Sequence, residues 1–171
     1  MSALGRLQRA CVLLVLVLVM WGCTVPAEVT GLRPLYPEAS TGWAKVDSLR
    51  PTFRWEKFPR PQDLKSGGDE LRKRLRNVTY DLRIWRGDSR RPLELVYERT
   101  GLAVPEHKLA MPLTATSDYF WTIRARFEID ENPRVLEWGT RRRSIGVVGE
   151  GRRSPVVPSP FFYRFKTPSE G

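Results

Sequence analysis

The stretch Asp118-Tyr119-Phe120-Trp121-Thr122-Ile123-Arg124-Ala125-Arg126-Phe127-Glu128-Ile129 decides the fold class, because its apolar residues recur at every second position. Tyr119, Trp121, Ile123, Ala125, Phe127 and Ile129 alternate with Thr122, Arg124, Arg126 and Glu128, which is the pattern of a strand with one face buried and one wet. Val78, Tyr80, Leu82 and Ile84 repeat it around Thr79, Asp81 and Arg83. Turn residues over Arg86 to Pro92 then lead into a second strand at Leu93 to Arg99, so the two read as a hairpin. Shorter strands are expected at Phe53 and Trp55 after Pro51, at His107 to Met111, and at Phe161 to Lys166 before Thr167-Pro168. Helical spacing is confined to Asp69 to Asn77, where Leu71 and Leu75 stand four apart, and a helix that short is marginal alone. Many short strands separated by Pro and Gly predict an all-β chain, folded as a single antiparallel β-sandwich.

The run Leu113-Thr114-Ala115-Thr116-Ser117-Asp118-Tyr119, continuing to Ala125, resembles the fibronectin type III family's Leu, six-residue step, Tyr, and alternating core ending in Ala. Pro51-Thr52-Phe53-Arg54-Trp55 resembles the strand that carries that family's core Trp, and Phe165-Lys166-Thr167-Pro168 resembles its closing strand. The resemblance spans residues 32 to 168 and implies a fibronectin type III-like β-sandwich over residues 43–171. It also implies a tyrosine corner, with the Tyr119 hydroxyl bonded to backbone upstream. Two connections, 57–77 and 137–160, are long for the family, and Leu136-Glu137-Trp138 within the second is a candidate strand. Trp55, Tyr80, Tyr119 and Trp121 are expected in the core. Trp85, Phe120 and Trp138 fall out of the inward phase, which makes them the candidates for a sugar-stacking platform, although singly exposed aromatics are common.

The chain has 171 residues, 41% of them hydrophobic, and six Trp, so one domain with a real core is expected in spite of a net charge of +10. Arg6 and Arg9 precede an unbroken apolar run from Cys11 to Met20. That run is short of the roughly 20 residues a membrane-spanning helix needs and reads as an export signal. Met20-Trp21-Gly22-Cys23 resembles the lipobox of bacterial lipoproteins. The resemblance implies a signal peptide over residues 1–22, acylation of Cys23, and a lipidated N-terminus and tether over 23–42. Loss of Arg6 and Arg9 would lower the net charge to +8. Cys11 would leave with the signal and the Cys23 sulfur would carry lipid, so no disulfide is expected. By the same resemblance, the uncharged Thr24 favours the outer membrane, facing the periplasm or the cell surface.

The sequence contains little that suggests catalysis. His107 is the only imidazole, and neither a metal-ligand spacing nor a glycine-rich phosphate loop occurs, so no metal or cofactor is expected. Carboxylates such as Glu128, Asp130 and Glu131 sit where they would keep a strand end soluble. Arg86-Gly87-Asp88 is the adhesion tripeptide of some fibronectin type III domains, but Gly-Asp is also ordinary turn chemistry. Asn77-Val78-Thr79 matches a glycosylation acceptor that a bacterial lipoprotein would leave bare.

The charge is more informative, because it is clustered. Residues 57 to 77 hold Lys57, Arg60, Lys65, Arg72, Lys73, Arg74 and Arg76 against Asp63, Asp69 and Glu70. Residues 137 to 158 hold Arg141, Arg142, Arg143, Arg152 and Arg153 against Glu137 and Glu150. In the fold that the resemblance implies, both connections leave from one pole, which makes Arg72, Lys73, Arg74, Arg76, Arg141, Arg142, Arg143, Arg152 and Arg153 the candidate anion-binding residues. The function expected is that of a non-enzymatic, lipid-anchored envelope protein. It would hold the membrane through its lipid and present two long basic loops to anionic lipid, lipopolysaccharide or an acidic envelope protein. The alternative is a binding module for a free polyanion such as nucleic acid or acidic glycan. Nucleic acid is disfavoured because residues 57 to 77 and 139 to 158 contain a single aromatic residue, Phe58.

Overall fold

Alternation produces strands wherever the period-two pattern occurs, and strands dominate the computed structural model, which describes residues 31–38, 42–64, 68–141 and 161–169. The expected signal peptide 1–22, Cys23, most of the 23–42 tether, Lys65, Arg142, Arg143, Arg152 and Arg153 lie outside the described residues. Strands β1 (Pro34–Tyr36), β2 (Ala44–Lys45) and β3 (Thr52–Trp55) come first. A 3-10 turn (Pro61–Leu64) and helix α1 (Gly68–Arg74) lead to the hairpin β4 (Leu75–Gly87) and β5 (Pro92–Leu102). The rest is β6 (Glu106–Lys108), β7 (Asp118–Ile129), β8 (Asn132–Val135) and β9 (Tyr163–Lys166).

Helix α1 stops short of the expected Asn77. Acidic Asp69 and Glu70 in its first turn and Arg72, Lys73 and Arg74 in its last suit the helix dipole, yet none of its residues is buried. Leu75 instead pairs with Ile129 of β7 and packs on the core, so strand pairing claims the residues that would have extended the helix.

The strands form two sheets, one in the order β1-β3-β6 and one in the order β2-β9-β7-β4-β5 with β8 also on β7. β4 pairs along one edge of β7. On the other edge β9 pairs with Asp118 to Trp121 and β8 with Arg126 to Ile129. Between them the Leu136 and Gly139 N–H groups donate to the Ala125 and Ile123 carbonyls at 2.9 Å. Pairing is not antiparallel throughout, because β2 runs parallel to β9. Residues of both sheets share one core: Phe53 and Trp55 of β3 meet Tyr80, Leu82 and Ile84 of β4, and Tyr119, Trp121 and Ile123 of β7. Phe53 meets the edge of Trp121 at 4.8 Å and Trp55 meets Tyr80 at 5.6 Å, geometries that add to area burial. The expected hydroxyl bond of Tyr119 is present, its oxygen accepting the Thr114 N–H at 2.9 Å.

Strand β8 was not expected where it lies. Asp130 and Glu131 both take positive φ, 49° and 65°, the sign a tight two-residue hairpin turn requires, but Asn-Gly is the usual signal for it. Pro133 also argues against a strand, and is tolerated here because β8 has β7 on one side only. Leu136-Glu137-Trp138 is therefore the continuation of β8 along β7 and not a strand of its own. β6 ends before the expected Met111: the Leu109 N–H still reaches the Pro51 carbonyl at 3.2 Å, but Pro51 has no N–H with which to continue the ladder.

The outer face of β7 differs most from expectation. Phe120 and Thr122 are buried, not wet. Trp85, Phe120 and Phe162 form a second cluster, with Trp43 and Trp138 packed against it. Trp43 lies just before β2, Phe162 just before β9 and Trp138 just after β8, so flanking chain folds over this face. Trp85 and Phe120 are consequently core residues and not parts of a stacking platform.

Candidate functional site

The period of two sends Asp81, Arg83 and Trp85 of β4 to that outer face, and the register sets Asp81 opposite Arg124 of β7. Asp81 is fully buried. Its Oδ2 accepts from Arg124 Nε at 2.8 Å and from Arg126 Nε at 2.6 Å, while Oδ1 is buried without a hydrogen-bond partner. The Trp138 ring lies against the guanidinium groups of Arg83, at 4.8 Å, and Arg124, at 4.2 Å. Arg83 also bonds Glu98 at 2.7 Å. Along the same face Trp43 carries Arg164 at 4.8 Å and Lys166 at 5.2 Å over its ring. Cations thus bridge aromatic rings and carboxylates, an arrangement that ties the covering segments to the sheet. Sequence alone missed Asp81. The signal was present as an acidic residue on the wet phase of β4, but it has meaning only once its register against Arg124 is known.

The expected anion-binding residues divide into separate groups. Arg72, Lys73 and Arg74 end α1, and Arg76 opens β4. Arg74 is held by Asp130 at the β7–β8 turn, Lys73 bonds Glu70 at 2.8 Å, and Arg76 bonds the Leu75 carbonyl at 2.7 Å. The Arg74 guanidinium holds the Asp130 carboxyl below its usual range. Arg141 lies elsewhere. Its N–H donates to the Phe161 carbonyl at 2.9 Å, after the chain has run back along β7 from the turn. Among the described residues the structure therefore brings Arg72, Lys73, Arg74 and Arg76 together and leaves Arg141 farther down the sheet.

Arg60 is internal to the fold and not part of a free basic loop. It binds Asp63 through two nitrogens at 2.8 and 2.9 Å and the Gly31 carbonyl at 2.5 Å. Burial opposes ionisation of Asp63, but the Arg60 hydrogen bonds outweigh it and hold that carboxyl below its usual range. The Tyr163 hydroxyl, pushed far above its usual range by burial, is within reach of the Leu32 carbonyl at 3.1 Å and the Thr140 carbonyl at 3.2 Å. Residue 31 thus enters the described fold beside the point where the chain leaves toward residue 142.

The remaining sequence candidates are engaged locally. His107 Nε2 is 2.5 Å from the Tyr97 hydroxyl. In Arg86-Gly87-Asp88, Arg86 binds Glu94 at 2.6 Å and Asp88 accepts the Arg90 and Arg91 N–H groups at 2.7 and 2.9 Å. Asn77 donates to Glu128 at 2.6 Å. Among the described residues no group of three or more His, Cys, Asp or Glu is placed to hold a metal, and no helix is long and apolar enough to cross a membrane. No protein-family model, curated protein or solved structure matches the chain.

Proposed function

We propose that the chain is a lipid-anchored cell-envelope protein whose β-rich domain is a binding or scaffold module for an acidic surface and not an enzyme. The observation that carries this reading is the sequence Arg6, Arg9, apolar Cys11 to Met20, then Gly22-Cys23. Thr24 extends it to the outer membrane. A fibronectin type III-like sandwich is supported by the strand orders β1-β3-β6 and β9-β7-β4-β5 around a shared core, and by the Tyr119 to Thr114 bond. The meeting of Gly31, Arg60 and Thr140 supports an anchor on the side of the domain from which the 142–160 segment, with four of the candidate arginines, departs. Metabolic labelling with fatty acid tests the anchor. Label is expected in the wild type and absent from Cys23→Ser, and equal labelling of the two would end the lipoprotein reading.

A further inference from the structure

The outer surface of the small sheet carries a second cationic feature, independent of the anchor. A cleft of about 530 Å³ opens there, lined by Tyr36, Asp47, Arg50, Arg54, Glu106 and Lys108. Its construction follows from strand alternation. Phe53 and Trp55 of β3 point into the core, so Thr52 and Arg54 point out. The register then sets Lys108 beside Thr52, and both Glu106 and Tyr36 beside Arg54. The Arg54 guanidinium lies 5.9 Å from the centre of the Tyr36 ring.

Cations such as Arg60, Arg83 and Arg124 have carboxylate partners, although Arg72 and Arg76 have none among the described residues. Arg50, Arg54 and Lys108 have none among the described residues, although Asp47 and Glu106 line the same cleft. Cations held unpaired around a concavity raise its potential and attract an anion. Three of them exceed the need of one carboxylate and match a phosphate dianion, with arginine suited to two-point contact and lysine to a point charge. A bare anion would still be opposed by Asp47 and Glu106. Those carboxylates call for hydrogen-bond donors on the same ligand, and the volume lies in the range of small-molecule sites.

We infer that this cleft binds a phosphorylated sugar, its phosphate on Arg50, Arg54 and Lys108 and its hydroxyl or amino groups on Asp47 and Glu106.

Calorimetric titration of the full chain in detergent tests the assignment, with glucosamine 1-phosphate, glucosamine, inorganic phosphate and a phosphorylated mannan as probes. Glucosamine 1-phosphate is expected to bind more tightly than inorganic phosphate, and glucosamine alone not to bind. Arg54→Ala with Lys108→Ala should weaken the sugar phosphate by about tenfold or more, while Arg134→Ala on β8 leaves it unchanged. Asp47→Asn with Glu106→Gln should erase the preference for the sugar phosphate over inorganic phosphate. Comparison of the monosaccharide with the mannan, per phosphate, separates a free ligand from a unit of a polymer. All these side chains are exposed, and unchanged melting of each variant establishes that it folds. No binding of any of the three phosphate-bearing probes, or undiminished binding by the folded Arg54 and Lys108 variant, would overturn the assignment.

Discussion

Tyr97 on β5 and His107 on β6 meet hydroxyl to Nε2 at 2.5 Å, which joins an edge strand of the large sheet to an edge strand of the small one. Burial, assisted by the charge of Arg99, holds the imidazole below its ordinary value of 6.5. The fold therefore prefers neutral His107, and the unfolded chain binds more protons at mildly acidic pH. That contribution to stability is complete above about 6.5 and is lost as the pH falls through the lower, folded-state value. The wild type is expected to lose more melting temperature between pH 7.5 and pH 5 than His107→Gln does. Parallel losses in the two proteins would show that this imidazole does not couple the sheets to pH.

The buried Asp81 is expected to make its two arginines matter together. Either Arg124→Ala or Arg126→Ala leaves one guanidinium on the carboxylate, but the double variant leaves a buried charge without a partner, at a cost of about 3 to 5 kcal/mol. Arg124 also stacks on Trp138, so its single substitution should exceed that of Arg126, in contrast to the small effect expected of a wet-face residue. Adding Asp81→Asn to the double variant should restore part of the loss. Urea unfolding reads all of these, and additive, sub-kilocalorie effects would contradict the geometry.

Alternation in the sequence located β4, β5 and β7 and the inward phase of Tyr80, Leu82, Trp121 and Ile123, because that pattern is set by which residues must leave water. It did not reveal that Phe120 and Thr122 are also covered, since that depends on Trp43, Trp138 and Phe162 arriving from segments distant in sequence. Asp81 was hidden for the same reason, a carboxylate on the outer phase being ordinary until its register partners are known. The turn at Asp130-Glu131 lacks the glycine that usually marks one, and its contact with α1 through the exposed Arg74–Asp130 pair joins segments 56 residues apart.

Tyr119 and Trp121 lie two residues apart on the buried face of β7 and should fail differently. Tyr119→Phe keeps the ring stacked on Phe165 at 5.3 Å and removes only the acceptor for the Thr114 N–H, a loss of about 1 to 3 kcal/mol. Trp121→Ala removes a fully buried ring and should cost about 3 to 5 kcal/mol. Equal losses in denaturant unfolding would show that the hydroxyl bond is not what distinguishes Tyr119.

The basic end formed by α1 is expected to be partly masked. Lys73 faces Glu70 and Arg74 faces Asp130, exposed pairs that add little stability but cancel charge that an anionic surface would otherwise meet. Arg72 and Arg76 carry no carboxylate partner among the described residues, and each basic group near an anionic bilayer contributes about 1 kcal/mol within a Debye length. Two variants should therefore move in opposite directions. Replacing Arg72, Lys73, Arg74 and Arg76 by Ser should lower partitioning of the domain onto phosphatidylglycerol vesicles, whereas Glu70→Gln with Asp130→Asn should raise it by unmasking Lys73 and Arg74. Both differences should vanish on neutral vesicles and at high salt, with melting temperatures nearly unchanged. If neither variant alters vesicle sedimentation, the end of the domain built by α1 does not face the membrane, and the acidic surface must be met elsewhere.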